Sequence, residues 1–213
     1  MPLALDTALV GLCSSASEGK GLGLPLPDLN PKPCGKTIVI WGGSSSVGAV
    51  ATQLAVAGGA KVVAVASSHN FDFCKKNGAS EVCDYKQSSI VDDVVSAVKS
   101  VGGDFIGVYD AISIQDQSFK HVLPILEKLG GGILPVVLGP PEKVPDNVKV
   151  AHVFGINPMT HPVWEKYITP ALEDEKLKCV PEPLIIGKGL ESVQAGLNKN
   201  KEGVSAKKVV IEL

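Results

Sequence analysis

The chain has 213 residues, 45% of them hydrophobic and 20% charged, with a formal net charge of -2. That balance gives no electrostatic case for nucleic acid or an anionic membrane surface, and apolar runs such as Ile133–Leu138 are far short of the ~20 residues that span a bilayer. Five scattered cysteines without a CxxC pair argue against a disulfide framework and predict a reducing, cytoplasmic setting.

The first 21 residues, MPLALDTALVGLCSSASEGKG, carry an apolar patch that Asp6 interrupts and that no basic leader precedes. They read as a helix, not as a signal peptide. A proline-rich connector follows, LPLPDLNPKPCGK (Leu24–Lys36). Short Val/Ile-rich runs then alternate with helical spacing. The strand candidates are Thr37–Trp41, Lys61–Ser67, Glu81–Tyr85, Phe105–Ile112, Gly131–Gly139 and Val148–Ile156. The helix candidates are Val47–Gly58, Asn70–Gly78, Ile90–Val101, Gln115–Leu129 and Pro162–Lys176. NGA at Asn77–Ala79 and KLGGG at Lys128–Gly132 are helix-stop signals. Alternation of this kind predicts right-handed crossovers and an α/β fold: a doubly wound parallel six-stranded sheet of order 3-2-1-4-5-6, helices on both faces.

In such a sheet a ligand lies beyond the carboxyl end of the first strand, where this chain places GGSSSVG (Gly42–Gly48). Gly42 and Gly43 permit a tight turn and close approach of a pyrophosphate, and Gly48 lets the next helix pack closely. Ser44, Ser45 and Ser46 add small hydroxyls and amides at the positive end of a helix dipole. Glycine-rich turns also occur for structural reasons alone, so the second strand is the discriminating position. A domain that binds NAD usually carries Asp or Glu there for the ribose 2′-hydroxyl. Between Lys61 and Phe71 there is no acid. Ser67, Ser68 and His69 suit a 2′-phosphate instead, so NADP(H) is the expected cofactor; Ser68 would also serve as a plain helix cap.

The block from Lys36 to Lys86 resembles the cofactor domain of the medium-chain dehydrogenase/reductase superfamily, in particular its zinc-free quinone-oxidoreductase branch with the trans-acting enoyl reductases. The likeness extends more loosely through PLALDTALVGL, GVYDAIS and the closing GVSAKKVVIEL. It implies that the backbone of Ser45, Ser46 and Val47 holds the pyrophosphate and that Ser67 and Ser68 meet the 2′-phosphate. It also implies that Tyr85 lies at the adenosine phosphate end, while Ile112, Leu138 and Gly139 border the ribose and nicotinamide. The family's GroES-like catalytic domain precedes this region, so the chain reads as a cofactor domain alone. Its expected divisions are a helix and connector (1–36), the NADP(H)-binding domain (37–183), and a helix and strand that would rejoin the absent domain (184–213). No metal site is expected, because His69, His121, His152 and His161 are dispersed. The catalytic residues stay unknown.

Rival readings meet contradictions. A short-chain dehydrogenase needs Lys four residues after a Tyr; the residues four after Tyr85, Tyr109 and Tyr167 are Ser89, Ser113 and Ala171. GGSSSVG spaces its glycines wrongly for a nucleophile elbow, and no Lys-Ser or Lys-Thr follows for a P-loop. Two function classes stand: a reductase that delivers hydride to an activated C=C of a small enoyl thioester, enone or quinone, or a nucleotide-binding and dimerisation module without turnover. Val148–Ile156 is apolar on both faces, so the expectation is a homodimer through that edge strand unless the C-terminal KKVVIEL folds back to cover it.

Overall fold

The computed structural model describes residues 2–213. Six strands form one parallel sheet of order β3-β2-β1-β4-β5-β6, the predicted order. They are β1 (Lys36–Trp41), β2 (Lys61–Ala66), β3 (Glu81–Asp84), β4 (Asp104–Asp110), β5 (Gly132–Val136) and β6 (Val148–His152). The main helices are α1 (Pro2–Cys13), α2 (Ser46–Ala57), α3 (Phe71–Lys76), α4 (Ile90–Val101) and α5 (Lys120–Lys128), followed by two short ones, α6 (His161–Val163) and α7 (Thr169–Glu173).

Strands buried on both faces explain the near-continuous apolar runs. On one face, Ile38, Ile40 and Val62 pack with Leu5, Leu9 and Leu12 of α1, with Val50 and Leu54 of α2, and with Tyr167 and Ile168. On the other, Val39, Trp41, Val63 and Val65 pack with Val94 and Val98 of α4 and Val122, Ile125 and Leu126 of α5. The first helix is thereby part of the core: Tyr109, fully buried in β4, donates its hydroxyl to the Thr7 carbonyl of α1 at 3.0 Å.

The structure departs from expectation at the far edge and the C-terminus. The sixth strand stops at His152, four residues early, because the Val153 amide makes a last bond to Val136, where β5 ends. Gly155 and the Asn157–Pro158 turn then lead the chain away. A seventh strand, β7 (Glu182–Lys188), was not legible: prolines at 181 and 183 disguise it. It pairs parallel with β8 (Lys207–Glu212) across α8 (Val193–Glu202), so the C-terminal strand covers β7 and not the β6 edge. No helix among the described residues is long and apolar enough to cross a membrane.

Candidate functional site

Chain reversal at the end of β1 builds the site. Gly42 takes a left-handed φ of +78°, and the amides of Gly42 and Gly43 both donate to the Val65 carbonyl of β2, at 3.0 and 2.9 Å. A Cβ on Gly42 would meet Ile112 Cδ1 at 2.8 Å, so Ile112 lies directly against the turn. A Cβ on Gly48 would strike the Gly42 carbonyl, which is why only glycine lets α2 start this close to the strand.

The helix start divides the labour of the serines. Ser45 caps α2, its Oγ accepting from the Gly48 amide at 3.0 Å, and its own amide is engaged with Gly42 O at 2.9 Å. The Ser46 and Val47 amides, the first two of α2, have no backbone acceptor among the described residues. They stand at the positive end of the helix dipole, so the turn presents unsatisfied donors to an anion.

Beyond the turn opens a cleft of about 800 Å³. It is bounded by the ends of four strands: Ser44 and Ser45 after β1, Ser67 and His69 after β2, Tyr85 and Lys86 after β3, and Ile112 after β4. Of the residues anticipated from sequence, Ser44, Ser45, Ser67, Tyr85 and Ile112 thus meet in one cavity. Gly43 lies buried behind them, where an added Cβ would press on the Ala64 side chain at 3.0 Å. Ser46 and Val47 flank the turn, Val47 partly packed into the core and Ser46 facing a second depression beside α8 and β8. Ser68 is exposed and lies outside the cleft lining; with the Lys86 backbone N–H as the larger cause, its hydroxyl helps hold the Asp84 carboxyl below its ordinary value. Leu138 and Gly139 are exposed beyond β5, away from the cleft.

Several lining residues carried no local signal. Asn70, 7% exposed, directs Nδ2 to Ser44 Oγ at 3.2 Å and to Ser205 Oγ at 2.9 Å. His69 Nε2 lies 2.8 Å from the same Ser205 hydroxyl and 3.3 Å from Ser67 Oγ. Residues Val204–Ala206, just before β8, therefore form one lip of the cleft. Lys208, in the second depression beside that lip, donates from Nζ to Ser46 Oγ at 3.3 Å and brings a cation to the start of α2. The opposite wall holds Trp41 stacked on His121, ring centroids 5.4 Å apart, with Gln117 and Lys120 beside them. Burial, and then the neighbouring Lys120 charge, push the His121 imidazole below its ordinary value. No periodicity could have singled out Asn70, Ser205, Lys208 or His121, since each is a polar residue on an otherwise ordinary element or loop; His69 is anticipated from sequence, beside Ser67.

This arrangement suits a dinucleotide: free amides for a pyrophosphate, an aromatic and aliphatic wall for a base, and hydroxyl donors in place of an acid at the end of β2. Among the described residues no group of three or more His, Cys, Asp and Glu side chains is placed to hold a metal ion.

Comparison with known proteins agrees with the fold. The zinc-binding dehydrogenase family model matches residues 46–165, more than half of the chain. The chain is 50% identical to dehydrogenase orsE of Emericella nidulans and 42% identical to trans-enoyl reductase himH of Aspergillus japonicus, over all of its own length. It spans only 63% and 61% of those two proteins. Among solved structures, the CurK enoyl reductase superposes with a TM-score of 0.70 at 18% identity, over 100% of this chain and 60% of that one. CurA of Vibrio vulnificus, solved in complex with NADPH, gives 0.67 at 18% identity, over 100% and 62%. At those identities the structures speak for the fold, and the family rests on the sequence matches. Glycine turn, sheet order and family model together establish that the chain belongs to the zinc-binding dehydrogenase family of the medium-chain dehydrogenase/reductase superfamily, as its cofactor-binding part.

Proposed function

We propose that this chain is the NADPH-holding domain of an oxidoreductase that reduces an activated C=C in a small enoyl thioester, enone or quinone. The observation that carries the cofactor choice is the end of β2, where Ser67 and His69 line the cleft and no carboxylate lies between Lys61 and Phe71. A carboxylate there would repel a 2′-phosphate, while hydroxyl and ring N–H donors attract one. The reaction class draws on relatives whose names include trans-enoyl reductase himH, and trans-enoyl reductase tndF of Aspergillus flavipes, which is 30% identical.

Bound NADPH would supply the hydride; the chain binds and orients. In this reading the Ser46 and Val47 amides take the pyrophosphate, helped by Lys208 and by the hydroxyls of Ser44 and Ser45. Ser67, Ser68 and Tyr85 enclose the 2′-phosphate end, Trp41 and His121 form the wall for adenosine, and Ile112 borders the ribose and nicotinamide. Leu138 and Gly139 are assigned to the nicotinamide end, and Gly43 keeps the turn low enough for the approach.

Titration of the chain with NADPH and with NADH, read by nicotinamide fluorescence, tests this directly. NADPH is expected to bind at least about tenfold more tightly, the lower end for a charge-assisted hydrogen bond. Equal affinities would sink the assignment. Tight binding without turnover of a simple quinone, by this chain and by a longer protein containing it, would favour the non-catalytic binding module.

The same proposal includes a homodimer through β6. That strand ends the six-stranded sheet, and Phe154 and Ile156 just beyond it are 65% and 82% exposed. Pairing with a second copy about a twofold axis would satisfy the open edge and cover these side chains. Light scattering at micromolar concentration is expected to give twice the chain mass. Val150→Pro, which removes a strand N–H, is expected to return the monomer. A monomeric wild type rules the dimer out.

A further inference from the structure

We infer that Lys86 is the residue that reads the 2′-phosphate of the dinucleotide, an inference that rests on the NADPH reading above. A phosphate monoester carries close to two negative charges at neutral pH. Ser67 and Asn70 offer it only uncharged donors, and both His69 Nε2 and Asn70 Nδ2 already meet Ser205. A cation is needed, and the cleft is lined by two lysines, Lys86 and Lys120. Neither enters any of the ion pairs formed among the described residues.

Position separates the two. Ala66 of β2 pairs with Asp84 of β3, and the Tyr85 amide still reaches the Ala66 carbonyl at 3.3 Å. Lys86 is therefore rooted one strand over from Ser67, about 4.8 Å in the hydrogen-bonding direction, within the span of a four-carbon stem. Its backbone is pinned by its own amide, which donates to Asp84 Oδ1 at 3.0 Å, while its side chain is exposed along the cleft wall. Lys120 begins α5 past β4, which is two strands from β2. Asp116, the cleft's single lining carboxylate, sits four residues before Lys120 and offsets charge on that wall. On the β3 side Lys86 is the charged residue that lines the cleft; the Asp84 carboxyl, engaged by the Lys86 amide and the Ser68 hydroxyl, lies outside the lining.

NADPH, NADH and 2′,5′-ADP titrations of the wild type, Lys86→Gln, Lys86→Arg and Lys120→Gln decide the matter. Lys86→Gln is expected to lose about tenfold in affinity for NADPH and 2′,5′-ADP, leave NADH within about twofold, and melt with the wild type. Lys86→Arg should keep the preference, and Lys120→Gln should move it by less than about threefold. An undiminished NADPH preference in Lys86→Gln, or a loss carried by Lys120→Gln, overturns the inference while leaving the NADPH reading standing. A wild type without preference overturns both.

Discussion

Gly48→Ala is expected to lower the melting temperature by roughly 2–12 °C and to abolish dinucleotide binding at concentrations that saturate the wild type. The added methyl would fall on the Gly42 carbonyl and within 3.1 Å of the Gly43 α-carbon. Both are backbone atoms, and both glycine amides are bonded to Val65, so the turn has no side chain that can swing aside. Overpacking of this kind costs about 1–3 kcal/mol, and a chain of this size loses roughly 2–4 °C per kcal/mol. Relief requires the start of α2 to move off β1, which carries the Ser46 and Val47 amides away from the cleft. Gly139→Ala is the control for melting alone, because a methyl there meets nothing within 4 Å. Differential scanning calorimetry alongside a fluorescence titration reads both effects. A Gly48→Ala chain that melts and binds like the wild type would show that the close helix approach is dispensable.

The second large effect is expected at Asp110, the last residue of β4, which is fully buried. Its Oδ1 accepts from the amides of Ile112 and Ser113, each at 2.9 Å, and so shapes the turn that lays Ile112 against Gly42. Its Oδ2 is buried without a hydrogen-bond partner among the described residues. Asp110→Ala leaves two amides unsatisfied and should cost about 2–5 kcal/mol. Asp110→Asn keeps the accepting oxygen and should fold normally.

The pair also differ in their response to pH. Burial pushes the Asp110 carboxyl above its ordinary value of 3.8, outweighing the nearby Ser118 hydroxyl and the amide bonds from Ser113 and Ile112 that favour the ionised form. Above 3.8 the unfolded chain releases this proton while the folded chain keeps it. The contribution to stability is complete below that value and is lost as pH rises through the raised folded value. Urea titrations of the wild type relative to Asp110→Asn should show the wild type losing ground as pH climbs above 4, and equal slopes for the two chains would refute a protonated Asp110.

Much of this molecule follows from local rules that its sequence displays openly. The succession of strands and helices, the limits of α4, and the turn at Gly42–Gly48 rest on period, caps and glycine stereochemistry, each a property of neighbours within a few residues, and the sheet order follows from the right-handed crossover rule. The same rules carried Ser44, Ser45, Ser67, Tyr85 and Ile112 to one cleft, because parallel strands bring their carboxyl ends to the same edge of the sheet. What they could not supply was any side-chain pairing across distance. Asn70 and Ser205 are 135 residues apart, and Lys208 and Ser46 are 162 apart. Those contacts exist only because β7, hidden between prolines, gives β8 a partner and so delivers Val204–Ala206 to the lip of the site. Hydrophobic periodicity records which face of an element is buried, not which element buries it. The placement of the C-terminal segment, the length of β6 and the identity of the cleft's cations were therefore decided by tertiary packing alone.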